Sequence, residues 1–201
     1  MKQPMLYMIA GPNGAGKTTA AMELLPRFLS IHEFVNADEI ARGLNPLDPS
    51  GQNVAAGRLM LNRIDDLIVS GKNFAFETTG ASRAFAEKMK NAKNAGYRLG
   101  LLYLWLPSAE FAKHRVRLRV RQGGHSIPDH DIERRFGRSL CNLIHLYLPL
   151  VDEANIYDSS SSGMNTYKLI AGKIGANWAV IQSALWTTIE QAAGESALDK
   201  H

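Results

Sequence analysis

Apolar residues run without interruption from Met5 to Ala10, a pattern that predicts a strand covered on both faces. Residues 17–29 then read as the first helix. A short second strand is expected at 33–36, with a short helix opening at Ala37-Asp38-Glu39. Beyond the turn-rich Asn45-Pro46-Leu47-Asp48-Pro49-Ser50, the residues Val54, Gly57, Leu61, Ile64 and Ile68 recur at three- and four-residue steps. They predict a long amphipathic helix ending near Gly71. Phe74-Ala75-Phe76 reads as a third strand with Glu77-Thr78-Thr79-Gly80 at its C-terminal end. Phe85, Met89 and Ala92 mark a helix closed by Gly96, and the aromatic-rich run 97–106 predicts a strand buried on both faces and stopped by Pro107.

Further along, Ala109, Ala112, Val116 and Val120 share one helical face. The loop Gly123-Gly124-His125-Ser126-Ile127-Pro128 separates that helix from one carrying Ile132, Phe136, Leu140, Leu143 and Tyr147. Strands are expected at 155–158 and 167–170, joined by a mobile turn at 159–163 and pairing as an antiparallel hairpin at one sheet edge. A last helix is expected to carry Trp178, Ile181, Leu185 and Ile189, with a frayed tail from Gly194. Strands alternating with helices predict an α/β fold of three layers, a mostly parallel sheet flanked by helices, forming one domain over 1–193. Ligands in such folds gather at the C-terminal ends of the strands, where the motifs fall.

The most specific motif is Gly11-Pro12-Asn13-Gly14-Ala15-Gly16-Lys17-Thr18, which fits G-x-x-x-x-G-K-[ST] without a mismatch between a predicted strand and a predicted helix. Its glycines let backbone N–H groups turn onto a nucleotide's phosphates, Lys17 neutralises the β and γ groups, and Thr18 can hold Mg²⁺. With Thr19 opening the helix behind it, this is a phosphate cradle, and the fold expected is that of P-loop NTPases and kinases. Composition adds little. The 201 residues carry 45% hydrophobic content, enough for one core, and 23 Lys and Arg against 19 Asp and Glu give a net charge of +4. The single Cys141 excludes an internal disulfide, and no stretch resembles a signal peptide or membrane span, so a cytoplasmic protein is expected.

Phosphoryl transfer needs held donor phosphates, neutralised developing charge and an acceptor hydroxyl in line. Asp38, past the second strand, is the candidate base; as an N-cap it would serve only its own helix. Glu77 and Thr79 are candidates to orient an acceptor or to hold water around Mg²⁺. The strand ending at Leu106 carries no acidic residue, unlike those of motor ATPases and switch GTPases, and no Asn-Lys-x-Asp string reads guanine. In the run 113–121 the arginines point to two sides of a helix. Arg119 and Arg121 enter the glycine loop while Arg134 and Arg135 follow it, so residues 119–135 are read as an arginine-bearing helical lid that closes over the nucleotide. His125 reads as a hydrogen-bonding lid residue and not a metal ligand. A nucleotide-regulated RNA- or protein-binding ATPase is the alternative, but no aromatics interleave the arginines to stack bases, which argues against nucleic acid.

Together the cradle, Phe34-Val35-Asn36-Ala37-Asp38-Glu39-Ile40-Ala41, Phe76-Glu77-Thr78-Thr79-Gly80 and Arg119-Val120-Arg121-Gln122-Gly123-Gly124-His125-Ser126-Ile127-Pro128 resemble the zeta-toxin-like family of P-loop kinases. The resemblance runs from about Met5 to Asp158. It implies an ATP-dependent small-molecule kinase whose acceptor in the toxins proper is UDP-N-acetylglucosamine, and in some members an antitoxin partner. By the same resemblance Lys17 and Thr18 match the phosphate and Mg²⁺ residues, Asp38 the base, Glu77 and Thr79 the acceptor-side pair, and Arg119, Arg121, Arg134 and Arg135 the γ-phosphate clamp.

Overall fold

The computed structural model describes residues 3–26, 31–124, 126–161 and 167–198. The apolar run Met5–Ala10 forms β1, and it is apolar throughout because it lies between two parallel neighbours with helices over both faces. After it come α1 (Lys17–Leu24), β2 (Glu33–Val35), α2 (Ala37–Leu44), α3 (Asn53–Ser70), β3 (Phe74–Thr78) and α4 (Ala84–Asn94). β4 (Arg98–Trp105), α5 (Ala109–Arg121), α6 (Asp129–Asn142), β5 (Glu153–Asp158), β6 (Lys168–Ile174), β7 (Asn177–Val180) and α7 (Ser183–Leu198) complete the described chain. The sheet order is β2-β3-β1-β4-β5-β6-β7, parallel through β5 and antiparallel at β6 and β7.

Alternate residues of each strand feed opposite layers. Leu6, Met8, Phe74, Phe76, Leu101 and Tyr103 pack with α3, α4, α6 and α7 through Met60, Ile64, Met89, Leu140 and Ile189. Tyr7, Ile9, Ala75, Leu102 and Leu104 pack with α1 and α5 through Ala20, Ala21, Ala112 and Val116. Fully burying one such side chain is worth about 1.5–3 kcal/mol, and the two layers hold all five parallel strand ends in register.

Four expectations are corrected. α3 buries Ala56, Met60, Ile64 and Leu67, a face turned from the expected one, and Val54 is 70% exposed. β6 pairs antiparallel with β5 as expected, yet it is not the edge, because β7 follows it after a turn at Gly175. Trp178 therefore belongs to β7 and packs against Trp186 of α7 with ring centroids 4.9 Å apart and planes inclined by 58°, so the last helix starts later than the spacing suggested. Val120 is exposed instead of sharing the buried face of Ala112 and Val116. In addition, a π-helical turn, Leu143–Tyr147, continues α6 and buries Leu143 and Tyr147 as predicted. α7 runs through Gly194 to Leu198. Ser159, placed by the sequence in a mobile turn, is buried; residues 162–166 and His125 lie outside the described residues. No helix among the described residues is long and apolar enough to cross a membrane.

Candidate active site

Cradle residues Gly11 to Gly16 form the turn between β1 and α1, and Lys17 and Thr18 open α1. Gly11, Gly14 and Gly16 take positive φ values of 144°, 79° and 82°. A methyl group on Gly11 would sit 2.3 Å from the Leu104 carbonyl oxygen, so only glycine lets the loop pass β4. On the far side the Ser159 hydroxyl donates to Ala15 O at 2.6 Å. No side chain caps the start of α1, leaving its first amides for an anion. Asn13 Oδ1 is buried with no hydrogen-bond partner, a group that a ligand in the loop can satisfy.

Lys17 is buried, and its ammonium donates to Pro12 O at 3.0 Å with Glu77 Oε1 at 4.0 Å. Burial lowers its pKa, Glu77 and Asp38 oppose that shift, and Arg119 and Arg135 add to it. A buried cation facing two other cations is stabilised by an incoming anion. Such a charge set favours polyphosphate.

Glu77 ties three strand ends together. Its position follows from register, since β1 places Ile9 beside it and β2 places Val35 beside Phe76. Glu77 Oε2 accepts from Thr18 Oγ1 at 2.7 Å and from Asn36 Nδ2 at 2.8 Å. Asn36 Oδ1 in turn accepts from the backbone N–H groups of Asp38, at 2.8 Å, and Glu39, at 3.4 Å, so Asn36 is the N-cap of α2. Asp38 is thereby relieved of the capping role, and its exposed side chain lines the same cavity as Lys17 and Glu77. Sequence reasoning missed Asn36, although an Asn immediately before an acidic first turn is a cap signature. The acidic residue absent from the end of β4 is supplied by β3, on the other side of β1. Thr18 and Glu77 offer hard oxygen donors suited to Mg²⁺, while no cluster of three or more His, Cys, Asp or Glu capable of holding a metal occurs among the described residues.

The cavity measures about 470 Å³ and gathers Asn13, Lys17, Asp38, Glu77, Thr79, Arg119 and Arg135. A neighbouring space of about 430 Å³ continues over Gly16, Thr18 and Thr19 to Leu118 and Gln122 of α5. Of the four lid arginines, Arg119 and Arg135 line the cavity with Lys17. Arg121 is exposed and lies outside it, and Arg134 pairs with Asp131. Of the other basic residues of α5, Lys113 pairs with Glu133 at 2.6 Å and Arg117 with Asp129, while Arg115 donates to Ser159 O and lines the neighbouring space. Two cations of the run 113–121, Lys113 and Arg117, thus face carboxylates of α6.

A family model described as "AAA domain" matches residues 6–136, from β1 into α6. The chain belongs to this AAA domain family. The matched span of the family contains Lys17, Asp38, Glu77, Arg119 and Arg135. Among individual relatives, an uncharacterized protein of Haemophilus influenzae (strain ATCC 51907 / DSM 11121 / KW20 / Rd) is 29% identical over 128 residues, 63% of this chain and 88% of that protein. Solved structures share the fold at lower identity. A chain of the AvrRxo1-ORF1:-ORF2 complex with ATP superposes with a TM-score of 0.73 at 16% identity over 93% of this chain, which spans 63% of that chain's length. The PezAT chromosomal toxin–antitoxin system of Streptococcus pneumoniae gives 0.61 at 16% identity, covering 98% of this chain and 88% of that one. A gluconokinase from Sinorhizobium meliloti 1021 gives 0.53 at 14% identity over the whole of both chains. The family member described here thus has a P-loop kinase-like fold.

Proposed function

We propose that the protein is an ATP-dependent kinase that transfers the γ-phosphoryl group to a hydroxyl of a small molecule. The observation that carries this reading is a single cavity in which Lys17, Asp38, Glu77, Arg119 and Arg135, from five separate elements, converge. The loop amides and Lys17 hold the donor phosphates. Arg119 and Arg135 face the charge that develops as the bond between the γ-phosphorus and the β,γ-bridging oxygen breaks. As the acceptor oxygen bonds to that phosphorus, its proton passes to the Asp38 carboxylate. Thr18 and Glu77 are the residues that would hold Mg²⁺, which would supply charge neutralisation on the donor phosphates. The zeta-toxin-like motifs make UDP-N-acetylglucosamine the first acceptor to assay, followed by other sugars and nucleosides.

Asp38→Asn should lower product formation by about 10²-fold or more while ATP affinity stays unchanged. Lys17→Ala should weaken ATP binding itself. Product assayed by mass together with nucleotide titration separates the two, and full transfer by Asp38→Asn would remove Asp38 from the mechanism.

A further inference from the structure

Capping alone does not explain why α2 begins behind an asparagine. Asn, Asp and Ser cap helix N-termini about equally well, because each offers an oxygen to the first amides. Ser108 does only that for α5: it is exposed, and its hydroxyl accepts from the Phe111 N–H at 3.1 Å. Asn36 is only 6% exposed, and its amide is used at both ends. Oδ1 accepts from the Asp38 and Glu39 amides while Nδ2 donates to Glu77 Oε2. Among good cap residues, asparagine alone joins an acceptor for the helix to a separate N–H donor for a carboxylate. An aspartate would cap α2 but set a second negative charge against Glu77. A serine would bring a single oxygen, one bond nearer the backbone, to both tasks.

The two ends of this amide lead to different parts of the site. Register brings Asn36 there, since Val35 pairs with Phe76 and the residue after each comes alongside the other. Glu77 Oε2 also receives the Thr18 hydroxyl at 2.7 Å, so two donors fix the carboxylate, and Oε1 lies 4.0 Å from the Lys17 ammonium. At the other end, the Asp38 side chain is exposed, and no hydrogen bond or ion pair among the described residues holds its carboxylate. Its place follows from the first turn of α2, and Asn36 fastens that turn.

We propose that Asn36 is a positioning residue for phosphoryl transfer, its one amide holding Glu77 and the turn that bears Asp38 in fixed relation. The assignment rests on the kinase reading above and adds a coupling between the groups on its donor side and its acceptor side. Asn36 acts through these two carboxylates and touches no reacting atom. Losing a hydrogen-bonding support behind a metal-binding carboxylate costs about 10–100-fold in metal affinity or activity. Displacing a reacting group by about 1 Å can cost about 10²-fold in rate.

The test separates the bridge from the cap. Asn36→Ser keeps a capping oxygen and gives up the link to Glu77; Asn36→Ala gives up both. Thermal denaturation should place Asn36→Ala about 2–4 °C below Asn36→Ser, the difference due to the cap. Calorimetry with ADP reads the Glu77 end without turnover. Affinity in the absence of Mg²⁺ should match the wild type in both variants, and the gain on adding Mg²⁺ should shrink about tenfold or more. With ATP, saturating Mg²⁺ and UDP-N-acetylglucosamine, kcat should fall about tenfold or more in both variants while KM for ATP stays within about twofold. A wild-type kcat or a wild-type Mg²⁺ gain in Asn36→Ser overturns the inference and leaves the kinase reading intact. A kcat lost in Asn36→Ala but restored in Asn36→Ser reduces Asn36 to a cap and also overturns it. If the wild type transfers phosphoryl to no hydroxyl acceptor, the kinase reading falls instead; a diminished Mg²⁺ gain in Asn36→Ser then still supports Asn36 as the residue that positions Glu77, and an undiminished one overturns it.

Discussion

One carboxylate oxygen of Glu77 serves Thr18 and Asn36 at once, so its chemistry can be separated from its shape. Glu77→Gln keeps the volume but removes the charge that opposes the lowering of the Lys17 pKa. It should cost about 1–3 kcal/mol of stability, since hydrogen bonds to a charged group are lost, and weaken ATP binding; urea midpoints and nucleotide titration read the two effects, and wild-type values in both would detach Glu77 from the cradle. Gly11→Ala should destabilise by about 1–3 kcal/mol through left-handed strain and collision with Leu104 O, measured as a shift in denaturant midpoint. At this scale the cradle was legible because its motif is written in consecutive residues, and Asp38 and Glu77 because each stands within two residues of the end of a strand predicted from the sequence. Asn36 and Arg135 were not singled out from their neighbours, since what distinguishes them is reach across the sheet top. Adjacent residues on a helix point about 100° apart, and no local pattern tells whether Arg134 or Arg135 faces inward.

Among the elements, α6 and the loop after β3 behave as one unit. Ser139 is fully buried, donates to Thr79 O and shares a 2.7 Å hydrogen bond with the Tyr103 hydroxyl of β4. Ser139→Ala strands both partners and should cost about 1–3 kcal/mol; thermal denaturation with an unshifted midpoint would contradict that linkage. Strands β1, β3 and β4 were plain in the sequence because burial on both faces produces unbroken apolar runs. β7 was not, because Trp178 stands at helical spacing from Ile181 and Leu185, and four exposed residues carry no alternation. Tertiary pairing with β6 decided the matter. α3 shows the complementary failure: its apolar residues exceed what one face can bury, so periodicity alone left its rotation open.

For the molecule as a whole, the tyrosines make the core sensitive to alkali. Burial raises the pKa of Tyr7, Tyr103 and Tyr147, with Glu153 raising Tyr7 further, and burial does the same to Tyr97 and Tyr157. The unfolded chain releases these protons near pH 10, where the folded chain retains them, so stability is complete below that pH and falls as pH climbs past it. Absorbance at 295 nm should therefore rise together with loss of far-UV circular dichroism; ionisation of all six tyrosines near pH 10 in an intact fold would refute this. The sheet order has a temporal consequence too. β1 is made first but lies between β3 and β4, and the loop behind it is latched by a hydroxyl 144 positions downstream, at Ser159. A nascent chain carries the whole glycine-rich motif once Thr18 is joined, yet the walls that shape it arrive only when Leu104 and then Ser159 have left the ribosome. The loop therefore cannot act as an early template for folding; it takes its shape only after residue 159 has emerged.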